Sequence, residues 1–296
     1  MAIQYSGNAQ TSTFTPVTKQ DIINNVETAL LAASWTTISG HATTNLLMQS
    51  ATTPQGFAIR IRLKDNGGNC VTFSLESTDG VLVGGNSTTV GIFLFPNAGG
   101  WVYRITCNKY QAFVYVTPNP VVGRTFAAFG VPFLPTWMAA ITTRVGWLQG
   151  NAANDTDTTF EASFRGALSG SSAFSFALGQ QAMYNSALWT LNGNSSSQIG
   201  IVAIPSYVCN TGANTGVGFR WENNSALLID ALISWGSTAS NVESKFKGQL
   251  WDGLVSTDVY AGDDTAVIDG HNWIVITDNG AGFFNSQRGT LLIATS

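Results

Sequence analysis

The chain has 296 residues, enough for one large domain or two of ordinary size, each able to bury a core. Hydrophobic residues make up 44%, which argues against global disorder, while Asp, Glu, Lys and Arg make up only 10%, against about 25% in an average soluble domain. The formal balance is +2 over residues 1–135 and −6 over 136–296, and the one concentration of bases is Arg60, Arg62 and Lys64, too few to follow a phosphate backbone, which argues against nucleic-acid binding.

The opening "MAIQYSGNAQ" lacks the basic and apolar regions of a signal peptide, so the chain reads as a soluble protein made in a cytoplasm. Residues 1–17 are polar and read as an extended arm. "TKQDIINNVETALLAAS" then predicts a helix: Thr18 caps it, Asp21 completes a capping box, and Ile22, Val26, Ala29, Leu30 and Ala33 fall on one face. "FAIRIRLK", "DNGG" and "NCVTFSLE" predict a β-hairpin. Phe57, Ile59, Ile61 and Leu63 alternate with Arg60, Arg62 and Lys64, and Val71, Phe73 and Leu75 share a face on the second arm. The three bases are expected on its solvent side, with at most a weak pair to Glu76.

"WVYRITCNKYQAFVYV" predicts a second hairpin, turning at Asn108-Lys109. "FGVPFLPTW" (129–137) reads as a packed connection between two parts of the chain. Beyond it come short strand-like pieces separated by Gly, Asn and Ser, including "TTFEASFRGAL", "QIGIVAIPSYVC", "GVGFRWE", "SKFKGQLWDGLVS", "HNWIVITD" and "GTLLIATS". "SALLIDALISWG" fits either a short helix or a buried strand. The expected fold is therefore mainly β: antiparallel, sandwich- or barrel-like domains with one N-terminal helix packed on the first sheet. The expected division is an arm, helix and β domain over 1–135 and a second sandwich-like domain over 136–296.

Residues 166–219 carry no charged side chain. They read either as an ordinary Ser/Asn/Gly-rich β region or as a surface buried in an assembly, where charge would carry a desolvation cost. "TFAAFGVPFLPTWMAAITT" is apolar, but Pro132 and Pro135 argue against a membrane span.

Signatures of catalysis are missing. There is no GxSxG, HExxH or P-loop, and the SxxK at Ser244–Lys247 has none of the motifs that accompany it in serine hydrolases. Cys70, Cys107 and Cys209 have no CxxC spacing and read as buried thiols, with Cys70–Cys107 the one bridge the count leaves open. Asp155 and Asp157 in "NDTDTT" alternate as in a calcium loop, yet the loop's glycine and glutamate are absent, so a self-bonded turn is the better reading. The stretch "YAGDDTAVIDGHNW" is the better calcium candidate, with Asp263, Asp264 and Asp269 as ligands beside His271; otherwise it is a polar loop between strands. The only other histidine is His41. No cofactor is expected. Most tryptophans sit in alternating strands and read as core, while Trp189, in "NSALWTLNGNSSS", is the candidate for stacking on a glycan.

Several segments resemble a family of uncharacterised bacteriophage and prophage virion proteins. The likeness is carried by "TKQDIINNVETALLAASWTTISG" and "TNLLMQSATTPQGFAIRIRLKDNGGNC" near the start, and by "ALLIDALISWG", "KFKGQLWDGL", "DGHNWIVIT" and "RGTLLI" near the end. It covers about the first 130 residues and the last 75, and not the uncharged middle. The resemblance implies a non-enzymatic structural part of a virion, in the tail or baseplate. Such a part would be built as a homo-oligomer against other virion proteins. A receptor- or glycan-binding tail tip that contacts the host surface, and a capsid decoration protein, are the alternatives. No functional residue carries over from the family.

Overall fold

A computed structural model describes residues 3–65, 67, 70–76, 89–93, 102–117, 126–134, 146–152, 181–184, 197–202, 228–237, 245–256, 265–276 and 290–295. The fold is mainly β, antiparallel and sandwich-like, with a helix near the N-terminus packed on the first sheet, as the sequence leads one to expect.

The helix, α1 (Lys19–Ala32), starts where the capping box places it. Thr18 Oγ1 accepts from the Asp21 amide at 3.2 Å, and the Asp21 carboxylate accepts from the Thr18 and Val17 amides at 2.8 and 3.0 Å. It stops in a Schellman arrangement: the Ser34 amide donates to Leu31 O and the Trp35 amide to Leu30 O. Ser34 takes the left-handed position at φ 69°, which glycine usually fills. Ile22, Ile23, Val26, Ala29 and Leu30 are buried on one side.

The first sheet has 11 strands. They are β1 (Gln10–Phe14), β2 (Thr36–Ser39), β3 (Asn45–Gln49), β4 (Arg60–Asp65), β5 (Cys70–Glu76), β6 (Thr89–Phe93), β7 (Val102–Cys107), β8 (Gln111–Thr117), β9 (Phe126–Gly130), β10 (Gly146–Ala152) and β11 (Gln181–Tyr184). Their order is β1-β7-β8-β9-β10-β6-β5-β4-β3-β2, with β11 on β10. The helix touches β1 and β7 from one end of this order and β2, β4 and β5 from the other, so the sheet closes over the helix. One core joins Ile22, Val26 and Leu30 to Ile61, Phe73, Tyr103, Val114 and Phe129. The N-terminal segment is extended as expected, but β1 is a paired edge strand, with Gln10 opposite Cys107 and Phe14 opposite Tyr103.

The first predicted hairpin is β4–β5, with Arg60 opposite Glu76 and Asp65 opposite Val71. Its bases do more than face solvent. Arg62 forks onto the Glu76 carboxylate, Nη2 lying 3.2 Å from Oε2 and Nε bonding Oε1, and Glu76 is only 3% exposed. The weak surface pair expected from the sequence is instead an enclosed bidentate one, because Arg62 is diagonal to Glu76 across the ladder. Cys70 and Cys107 are buried thiols that form no disulfide.

The second sheet has six strands in the order β12-β13-β14-β17-β16-β15. These are β12 (Ser197–Val202), β13 (Leu228–Ser237), β14 (Lys245–Ser256), β15 (Thr265–Ile268), β16 (His271–Ile276) and β17 (Thr290–Ala294). The ambiguous "SALLIDALISWG" is, over its described part from Leu228 on, a strand, β13, paired on both sides, which suits its near-continuous apolar run. "TTFEASFRGAL" and "GVGFRWE" lie outside the described residues. The first sheet takes in β10 and β11, up to Tyr184, and the strands of the second begin with β12 at Ser197.

The connection at 129–134 is packed. Val131 and Leu134 are buried, and Phe133 and Gln249 exchange backbone bonds of 2.8 and 2.9 Å, so this segment lies along β14. Gly130 has no room for a side chain: a Cβ there would sit 2.5 Å from Gln111 Cβ and 2.8 Å from Tyr110 O. Gly130→Ala is expected to destabilise the protein by about 2 kcal/mol through overpacking, read as a lower urea midpoint with unchanged slope.

Candidate functional site

The chemistry-bearing side chains that the fold brings together lie where the two sheets meet. β14 supplies the centre. Its ladder with β13 shifts register between Asp230 and Leu232, and Asp252 takes a left-handed backbone at φ 50°. The bulge aims the Asp252 amide and carboxylate away from the β13 ladder, towards the N-terminal segment. Gly248, on the same strand at φ 143°, is needed because a Cβ would meet Pro132 at 2.7 Å.

The Asp252 amide donates to Gln4 O at 2.9 Å. Its carboxylate accepts from the Ser6 amide at 2.7 Å, from the Ser6 hydroxyl, and from Asn108 Nδ2 at 2.7 Å. Asn108 closes the β7–β8 turn, where its Oδ1 accepts from the Tyr110 and Gln111 amides at 2.8 and 2.9 Å. That fixes its amide with the Nδ2 end towards Asp252. Gln111 bonds both backbone groups of Trp251 through its side chain. The Trp251 indole donates to Val131 O at 3.0 Å and lies between Tyr110 and Phe133, with ring centroids 4.4 and 5.2 Å away. Tyr5 stacks on His271 at 4.0 Å and meets Trp273 edge-on at 6.2 Å.

Residues from four separate stretches, 4–6, 108–111, 131–133 and 248–252, thus form one buried polar joint. Burial pushes the Asp252 carboxyl above the ordinary carboxylate value, against the bonds from Ser6 and Asn108 and the nearby His271, which pull it down. Burial, with Asp269 and Asp252, likewise pushes the Tyr5 phenol up. The sign of the linkage follows. With its folded value raised, Asp252's contribution is complete below the unfolded value of about 3.9 and is lost as pH rises through the folded value. Wild type is therefore expected to gain stability relative to the non-titrating Asp252→Asn variant as pH is lowered from neutrality towards that unfolded value. Urea unfolding of both across this range checks it, and a constant gap would contradict it.

A Ser, an Asp and a His meet here, but not as a nucleophilic relay. The Ser6 hydroxyl donates directly to the carboxylate, and the His271 ring lies flat against Tyr5. Asp252 is 1% exposed, so its carboxylate is a structural anchor closed to a substrate. Another buried carboxylate, Glu27 on α1, is also internally satisfied. It accepts from Thr37 Oγ1 at 2.8 Å and pairs with His41 Nδ1 at 3.0 Å. Burial works to raise its carboxyl, but these partners and the Ala42 amide outweigh burial and hold it low.

Of the residues singled out from sequence, Asp263, Asp264 and Trp189 lie outside the described residues, as do Asp155 and Asp157. Asp269 is described and has a backbone role. With Gly270, at φ 52° and 77°, it forms the two-residue turn of the β15–β16 hairpin, closed by Ile268 opposite His271. The stretch expected as one polar loop thus contains strand β15 and a tight turn. Among the described residues no group of three or more His, Cys, Asp and Glu is placed to hold a metal ion. His41 and His271 have different neighbours, Glu27 and Tyr5. Trp35, Trp251 and Trp273 are buried. No described helix is long and apolar enough to cross a membrane. The residues that build the joint were missed in the sequence. The signal that points to one of them is an acid, Asp252, set between the apolar Leu250 and Leu254 at alternate positions of β14.

No protein-family model matches the chain, and no curated protein matches it.

Proposed function

We propose that this chain is a structural component of a bacteriophage virion, in the tail or baseplate, which acts as a homo-oligomer against other virion proteins and catalyses no reaction. The observation that carries the reading is the convergence at the joint. The segments that resemble phage virion proteins lie towards the two ends of the sequence, and they are the parts that meet there. Asn108 and Gln111 fall within the roughly 130 N-terminal residues that the likeness spans, while Trp251, Asp252, His271 and Trp273 lie in segments that carry it near the end. The resembling parts thus meet in one scaffold, to which the uncharged stretch 166–219 adds strands β11 and β12. The scarcity of charge supports the same reading, since subunit interfaces are depleted of charged residues at their centres.

Quantitative mass spectrometry of purified particles tests this. The expected result is this chain in multiple copies per particle, together with an oligomer when the chain is purified alone. A chain absent from particles and monomeric at high concentration overturns it. Retained particle assembly with lost host adsorption in a deletion of 166–219 would move the assignment to a receptor-binding tip.

A further inference from the structure

The segment Ile3–Asn8 crosses the joint before β1 enters the first sheet. Its polar hold on the second sheet centres on one residue, Asp252, through Gln4 O, the Ser6 amide and the Ser6 hydroxyl. Its apolar hold is Ile3 and Tyr5 on the small core of Leu254, Trp273, Leu292 and Ala294. Ser6 is buried, but the following Gly7 is exposed at φ 77° with open space around it. Asn8 then bonds Ser34 at 2.6 Å, at the end of α1.

We infer that Ile3–Ser6 is a latch that opens as a unit about Gly7 while both sheets stay folded. Two groups make its closure costly. The Tyr5 hydroxyl is buried and, among the described residues, has no hydrogen-bond partner. The Asp252 carboxylate is held out of water. Opening returns both to solvent, against the loss of the packing of Ile3 and Tyr5 and the bonds to Asp252. The free energy of opening therefore lies well below that of global unfolding. What opening uncovers is an apolar floor, formed by Leu254, Trp273 and Leu292, bordered by Asp252 and Asn108. This conclusion is independent of the virion assignment.

Site-resolved amide exchange on the full chain tests the latch. The Asp252 amide reports from outside the segment, because its acceptor is Gln4 O. The Ser6 and Asp252 amides are expected to exchange together, on the order of a hundredfold faster than the β16 and β17 ladder amides. Tyr5→Phe removes the unpartnered hydroxyl, so it is expected to slow both by about tenfold and leave β16 and β17 unchanged. The inference is overturned if Ser6 and Asp252 exchange only at the rate of the ladder amides. It is equally overturned if Tyr5→Phe leaves their exchange unchanged or makes it faster.

Discussion

Asp252→Ala is expected to cost about 3–5 kcal/mol of stability. The carboxylate accepts from two groups of Ser6 and from Asn108 in a setting closed to water, and truncation leaves all three donors buried without an acceptor. Asn108 cannot adapt by turning its amide over, because its oxygen already holds the Tyr110 and Gln111 amides. The same constraint predicts that Asp252→Asn is destabilising, by about 1–3 kcal/mol. It relieves the burial of a charge, but it sets an NH2 group against donors that are fixed in place. Urea unfolding checks both variants. An Asp252→Ala protein within about 1 kcal/mol of wild type would mean that the joint does not depend on this residue.

Trp251→Ala is expected to cost about 3–5 kcal/mol through cavity formation. Its ring fills the space between Tyr110 on the first sheet's turn and Phe133 on the connection, so the void opens between the sheets and not within either one. The loss is therefore expected to uncouple them. Amides of β7 and β8 and those of β16 and β17 are expected to lose protection together in wild type and at different urea concentrations in the variant. Trp251→Phe keeps most of the apolar volume and leaves only the Val131 carbonyl unpaired, at about 1–2 kcal/mol. Coincident loss of protection in the Ala variant would show that the sheets are coupled elsewhere.

What could be read in the sequence was local. The helix start is spelled by Thr18 and Asp21, and the β4–β5 and β7–β8 hairpins by two-residue alternation on both arms. Each of these depends on neighbours a few positions away. The joint depends on contacts between residues more than a hundred positions apart, such as Ser6 with Asp252 and Asn108 with Asp252, and no periodicity records them. Asp252 itself was in view within "GQLWDGLVS". A strand that alternates towards a core has no cheap place for a carboxylate, and that conflict marks a buried polar partner. The Asp269-Gly270 turn was also in view. Its aspartate shares an acidic stretch with Asp263 and Asp264, but "TAVI" and "HNWI" on either side make it a hairpin turn. The middle of the chain offered no equivalent handle, since its polar, uncharged composition fits a surface strand and an assembly contact equally well.

The measurement that bears most directly on the proposed role is a cryo-EM map of intact particles from a strain that carries this chain. The account predicts density for symmetric copies of the two sheets, each with the N-terminal segment set against Asp252 and with neighbouring chains packed on surfaces poor in charge. A particle map of side-chain quality with no density for the chain would contradict it.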